Sequence, residues 1–241
     1  MASEGRYTVG FDVGSSAIHS VILGDDGAIV HSPDSRLHFG NPVDTLRDVY
    51  ERIIAKYGFA TIETTALTGS MGEMVAERTD VPFFHDTIAI PAGADFIAPG
   101  AGYVFHIGAK DSYFFEKEQV EADGEWRTFV PDHSTGSKCG GGSGILITKQ
   151  CRRFFESEFP VELGESRSEN RRLLQEQLGR IFSRAEEEIS TSDKEIDVGG
   201  RCGVVIQSDM IHLQNSGEQI RNILKGMFQR VGMNFKSDVI K

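Results

Sequence analysis

The sequence predicts an α/β fold on three observations. Residues 7–11 and 17–23 read as short strands around Asp12-Val13-Gly14-Ser15-Ser16, and residues 104–107 and 112–115 repeat that design around Gly108-Ala109-Lys110-Asp111. Segments with helical apolar spacing follow each strand group. Gly24-Asp25-Asp26-Gly27 turns the chain into a third strand at 28–31, completing a meander. Over 42–56, Val43, Leu46, Val49, Ile53 and Ile54 recur with helical spacing, with Asn41 as the expected N-cap. A strand at 64–67 breaks at Thr68-Gly69-Ser70-Met71-Gly72, and a short helix is expected over 73–78. The richest glycine cluster, 136–144, opens a helix over 145–155 in which Leu146, Ile147, Gln150, Phe154 and Phe155 share a face. Residues 171–189 form a charged amphipathic helix with Leu173, Leu174, Leu178, Ile181 and Phe182 inward. Residues 190–200 read as a polar linker, 203–206 as a short strand, and 209–213 and 219–231 as helices. Val239-Ile240-Lys241 is expected to begin another strand, so that the chain stops inside a domain.

Composition narrows the functional classes. At 39% apolar and 25% charged residues the 241-residue chain has enough hydrophobic material for a sizeable core. A net charge of −11 argues against broad binding to nucleic acid or an anionic membrane, which needs clustered Lys and Arg, so any phosphate site must be local. Residues 1–6 lack the basic-then-apolar pattern of a secretion signal, and no run reaches the roughly eighteen apolar residues of a spanning helix. A cytoplasmic location is therefore expected. Three cysteines, Cys139, Cys151 and Cys202, are an odd number for a disulfide framework and favour reduced thiols or metal ligation.

Three segments carry chemistry. Gly10-Phe11-Asp12-Val13-Gly14-Ser15-Ser16 sets a carboxylate beside a flexible turn whose N–H groups and hydroxyls suit a phosphate, and Asp12 can hold Mg²⁺ through water. Gly108 and Asp111 occupy the equivalent turn of the repeat. In Lys138-Cys139-Gly140-Gly141-Gly142-Ser143-Gly144, small residues follow a cysteine and lead into a helix, an arrangement suited to an anion at a helix N-terminus. The spacing does not fit the G-x-x-x-x-G-K-S/T phosphate loop. Arg201-Cys202-Gly203 offers a second cysteine in a loop-like setting, whereas Cys151 falls inside a predicted helix as a buried inert thiol. Two such thiols are half of what a cubane iron–sulfur cluster generally needs, so a cluster would have to bridge two copies.

Together these segments resemble the activators of 2-hydroxyacyl-CoA dehydratases and the ATP-binding subunits of benzoyl-CoA reductase. Gly10 to Ser16 matches that family's G-I-D-x-G-S-T motif, Thr68-Gly69-Ser70 its next T-G turn, 138–144 its K-C-A-A-G-T-G, and 201–211, with Ser208, Asp209 and Ile211, its R-C-x-V-F-A-E-S segment. The resemblance implies the ASKHA ATPase fold (actin, Hsp70, acetate and sugar kinases; ribonuclease H-like) in two lobes, here 1–117 and 118–241, the second incomplete at its C-terminus. It implies ATP with Mg²⁺ in the cleft between the lobes. Gly10, Asp12, Gly14, Ser15, Ser16, His19, Gly108, Lys110, Gly141, Gly142, Ser143 and Gly144 would bind nucleotide or cofactor, and Asp12 and Asp111 would be catalytic. Cys139 and Cys202 would ligate one 4Fe–4S cluster shared by a homodimer, charged by reduced ferredoxin or flavodoxin and discharged to a dehydratase or reductase partner.

The departures fall on nucleotide chemistry. His19 replaces the family's basic residue, and D-I-G-G-Q-D-x-K becomes His106-Ile107-Gly108-Ala109-Lys110-Asp111-Ser112-Tyr113. Lys110 can attract phosphate, but its ammonium has no acceptor with which to orient an attacking water. The sequence ends before the family's T-G-G-V-A adenosine motif, so adenine binding is expected to be incomplete. Two alternatives stand beside the activator: an ASKHA sugar kinase, and a degenerate ASKHA module that only dimerises or docks a partner.

Overall fold

Alternate residues of the first strand bury one apolar face, and that face organises the first half of the molecule. The structure is a computed structural model and describes residues 5–136 and 144–240. It divides into two compact units, Met1–Ala92 with Glu165–Arg171, and Gly93–Gly164 with Arg172–Lys241. In the first unit β1 (Tyr7–Val13), β2 (Ala17–Leu23), β3 (Ile29–His31), β4 (Arg36–Leu37) and β5 (Ile62–Thr68) form one sheet in the order β3-β2-β1-β5, with β4 also on β2. β1 pairs antiparallel with β2 and parallel with β5. Between β4 and β5 runs α1 (Pro42–Tyr57), started by a proline that needs no N–H partner at that position. Asn41 is its N-cap residue, as the sequence predicts, but its side-chain amide bonds Asp44 instead of a helix N–H. Val9, Phe11 and Val13 from β1 pack with Ile18 and Ile22 from β2, Val49 and Ile53 from α1, Leu67 from β5, and Val75 from the short α2 (Gly72–Ala76).

The second unit joins a three-stranded antiparallel sheet, β6 (Tyr103–Ile107), β7 (Ser112–Ala122) and β8 (Glu125–Thr135), to a helical layer. That layer comprises α4 (Gly144–Phe155), α5 (Arg167–Ser190) from Arg172 onward, α6 (Gly203–Asn215) and α7 (Ile220–Val239). Its core gathers Leu146, Cys151 and Phe155 from α4, Ile181 and Ala185 from α5, Ile206 and Met210 from α6, and Ile223, Leu224, Met227 and Val231 from α7. Among the described residues no helix is long and apolar enough to cross a membrane.

The structure departs from the sequence reading at several elements. Residues 203–206 are helical, because Ile206 and Met210, four apart, are buried while Val204 and Val205 are exposed, which is a helical period and not a strand alternation. β8 was not anticipated, although Asp123-Gly124 takes positive φ at both residues (55° and 78°) and so forms the type of turn that closes a hairpin. A further helix, α3 (Asp86–Ile97), escapes pattern reading because it contains Pro91 and shows no clear apolar stripe. Val239 ends α7 instead of opening a strand. The segment read as a linker is also pinned, since Ile196 and Val198 enter the core.

One contact outside the candidate site fixes an acid response. Glu218 accepts from the Asn222 amide at 2.9 Å, from Lys194 at 2.5 Å and from the Gln219 N–H at 3.0 Å. These bonds, that from Asn222 foremost, lower its pKa from 4.5 to about 2. The resulting stability is fully present above pH 4.5 and is lost as pH falls through about 2. In urea titrations over that range Glu218→Gln should lose stability with a shallower slope than wild type; identical slopes would refute the assignment.

Candidate functional site

The β1 register sets the first half of the site. Asp12 pairs with His19 across the antiparallel ladder and with Thr68 across the parallel one. Residues directly opposed in neighbouring strands share a sheet face. Asp12, His19 and Thr68 therefore stand abreast beside the β1–β2 turn, which is closed by the Gly14 N–H donating to the Ala17 carbonyl at 3.0 Å. Asp12, Gly14, Ser15 and Ser16 are partly exposed and His19 is exposed. Gly10 lies further back on β1, where a Cβ would meet Val21 at 3.2 Å.

The parallel strand brings a second turn onto the first. Gly69 has φ +89°, and a Cβ there would lie 2.2 Å from Asp12 Oδ1 and 2.6 Å from the Val13 carbonyl oxygen. The Met71 N–H donates to that same carbonyl at 2.9 Å. Asp86, which opens α3, accepts from the Gly69 N–H at 3.1 Å and from the Thr68 hydroxyl at 3.3 Å. The first unit thus collects a carboxylate suited to Mg²⁺ through water and a turn whose N–H and hydroxyl groups suit phosphate. Sequence reading missed two supports of this arrangement, Asp86 and the buried His38. An Asp four residues after Pro82, at a helix start, is the available signal for the first; nothing in the pattern marks the second.

In the second unit the β6–β7 turn places Gly108, Lys110 and Asp111 together. The Gly108 N–H donates to the Asp111 carbonyl at 2.8 Å, and a Cβ on Gly108 would reach 2.7 Å from that oxygen. Lys110 is exposed and Asp111 partly so. The start of α4 is tied to this turn: the Gly144 N–H donates to Gly108 at 3.0 Å and the Ile145 N–H to Ala109 at 2.9 Å. These two N–H groups, expected to face an anion, are spent on carbonyls. Cys139, Gly141, Gly142 and Ser143 lie outside the described residues.

Cys202 is partly buried at the N-cap of α6, where its carbonyl accepts from the Ile206 N–H at 3.0 Å. The loop before it is held from two helices. Asp209 accepts from the Gly199 N–H at 2.7 Å, and the Asn234 amide donates to the Gly200 and Arg201 carbonyls at 3.4 and 3.3 Å. Asn234, 3% exposed, is a third residue that the sequence pattern does not flag. Cys151 is fully buried in α4, and burial pushes its thiol up to about 11, so it is unsuited to ligation. Among the described residues no group of three or more His, Cys, Asp or Glu is placed to hold a metal ion.

The chain has the ASKHA fold, as two superpositions show. No family model matches the chain. The (R)-2-hydroxyglutaryl-CoA dehydratase component A of Acidaminococcus fermentans superposes with a TM-score of 0.69 at 21% identity, over 96% of this chain and 77% of that one. The activator of the 2-hydroxyisocaproyl-CoA dehydratase from Clostridium difficile, solved with bound ADPNP, superposes with a TM-score of 0.68 at 20% identity, over 96% and 74%. In sequence, a benzoyl-CoA reductase subunit of Thauera aromatica is 23% identical over 229 residues, 91% of this chain and 68% of that protein. Shape and sequence comparisons therefore both meet the resemblance read from the motifs.

Proposed function

We propose that this chain is an ATP-dependent activator that passes an electron from a 4Fe–4S cluster, shared by two copies, to a 2-hydroxyacyl-CoA dehydratase or benzoyl-CoA reductase-like partner. The observation that carries the reading is the seating of the Asp12 carboxylate against Gly69, which joins the two glycine turns of the first unit at one carboxylate. In this reading Asp12 holds Mg²⁺ through water, and the 14–16 turn meets phosphate oxygens with N–H and hydroxyl groups. Lys110 adds positive charge, His19 stands where the family has its basic residue, Gly108 keeps its own turn free of a side chain, and Asp111 supplies the second catalytic carboxylate. Gly10 keeps β1 close to β2 beneath the turn.

The cysteine inventory supports sharing between copies. With Cys151 buried, one chain offers Cys139 and Cys202, and four thiolates take two chains. When bound, the cluster would supply a one-electron reductant, recharged by reduced ferredoxin or flavodoxin. Asp209 and Asn234 hold the loop that presents Cys202. A second reading, a module that only dimerises or docks a partner, draws on Lys110, which stands exposed where the family has a water-orienting amide.

Iron and sulfide content with an ultraviolet–visible spectrum on anaerobically purified protein separates the two. About four irons per dimer are expected, lost in both Cys139→Ser and Cys202→Ser, with Mg·ATP binding in the wild type. Colourless, iron-free protein after reconstitution would remove the electron-transfer reading and leave the docking module.

A further inference from the structure

We infer that His38 is a positioning residue for the phosphate turn, acting by locking the direction of the Ser15 N–H; the inference rests on the nucleotide reading of that turn. His38 is 4% exposed and follows β4, whose pairing of Leu37 with Ala17 brings it beside the β1–β2 turn. It grips the turn twice. Its own N–H donates to the Ser16 carbonyl at 3.1 Å, and its ring Nε2 lies 3.2 Å from the Gly14 carbonyl oxygen. On the other side of the ring, the Gly40 N–H donates to Nδ1 at 3.1 Å.

That last bond fixes the tautomer. A backbone N–H can only donate, so Nδ1 is an acceptor and the ring proton sits on Nε2, which donates to Gly14. The Gly14 carbonyl and the Ser15 N–H belong to one planar trans peptide, and the described chain contains no cis bond. Aiming the carbonyl at His38 therefore aims the Ser15 N–H the opposite way, out of the protein side of the turn. Among the described residues no group accepts that N–H. A phosphate oxygen is the ligand chemistry that suits a preset donor of this kind beside a partly exposed carboxylate that can carry Mg²⁺. Presetting it removes from binding the cost of ordering a flexible turn.

The test is Mg·ADPNP affinity by calorimetry in wild type, His38→Phe, His38→Gln and His38→Asn. Phe fills the space without a donor. Gln carries an amide N–H near the position of Nε2, whereas the shorter Asn reaches only the Nδ1 position. Affinity should fall about tenfold in Phe and Asn and recover to within about twofold in Gln. A merely space-filling role would instead favour Phe over Gln. If Phe does not fold, the Gln–Asn contrast carries the test. Equal affinities in folded Gln and Asn, or wild-type affinity in Phe, would overturn the role of His38 while leaving the nucleotide reading intact. A wild type that does not bind Mg·ADPNP would overturn both. The amide shift of Ser15 in ligand-free protein should change in Phe and Asn and be restored in Gln, and an unchanged shift in all three would overturn the lock.

Discussion

Gly69→Ala should destabilise the protein by about 2–4 kcal/mol and abolish measurable Mg·ATP binding. Two costs combine. The backbone stands at φ +89°, where an L side chain is strained by about 1 kcal/mol. The added Cβ would also lie 2.2 Å from Asp12 Oδ1 and 2.6 Å from the Val13 carbonyl oxygen and carbon, and backbone cannot rotate away as a flexible side-chain end can. Relief must come from separating the two turns, which breaks the Met71-to-Val13 bond at 2.9 Å and displaces Asp12. Urea denaturation gives the stability loss, and calorimetry with Mg·ADPNP gives the binding. A folded variant within about 0.5 kcal/mol of wild type that still binds would show that the turns are not tightly joined.

The same contact shows why some of this site is legible in sequence and some is not. Asp12, Gly14 and Gly69 can be read because tight turns and close backbone approach restrict the residue type so severely that glycine next to Asp or Ser becomes a pattern. The meander and its following helix are legible for a related reason: Val9, Phe11 and Val13 alternate, and Val49 and Ile53 lie four apart. His38, Asp86 and Asn234 act through hydrogen bonds to backbone atoms far away in the chain, 24 residues from His38 to Gly14 and 17 from Asp86 to Gly69. Local sequence imposes no spacing on such bonds. The misread strand at 203–206 has another origin, since Gly203-Val204-Val205-Ile206 has the composition of a buried strand and only the burial of Ile206 with Met210 distinguishes the helix. The Asp123-Gly124 turn is a hairpin signal, but Glu118, Gln119 and Glu121 on β7 and Glu125, Arg127 and Asp132 on β8 leave no clear apolar alternation beside it.

A pair of substitutions in α7 gives opposite signs from the same chemistry. Gly226 and Gly232 both lie inside this helix, and helix propensity alone predicts that Ala at either would stabilise by about 1 kcal/mol. At Gly232 nothing lies within 4 Å of an added Cβ, so Gly232→Ala should show that gain. At Gly226 the Cβ would meet the Ile196 carbonyl oxygen at 2.5 Å and Val198 Cγ2 at 2.8 Å, in a segment whose apolar side chains are already packed in the core. Overpacking of that kind costs up to about 3 kcal/mol, more than propensity returns, so Gly226→Ala should destabilise by about 1–2 kcal/mol net. The consequence extends to the candidate cluster ligand. Residues 196–198 lead directly into the loop that Asp209 and Asn234 hold ahead of Cys202, and pushing that segment off α7 strains the Asn234 bonds to Gly200 and Arg201. For the proposed cluster, iron content in Gly226→Ala should therefore fall with stability, while Gly232→Ala should match the iron content of the wild type at higher stability. Stabilisation by both substitutions would mean that α7 does not press on residues 196–198, and the support assigned to Cys202 from α7 would fall with that contact.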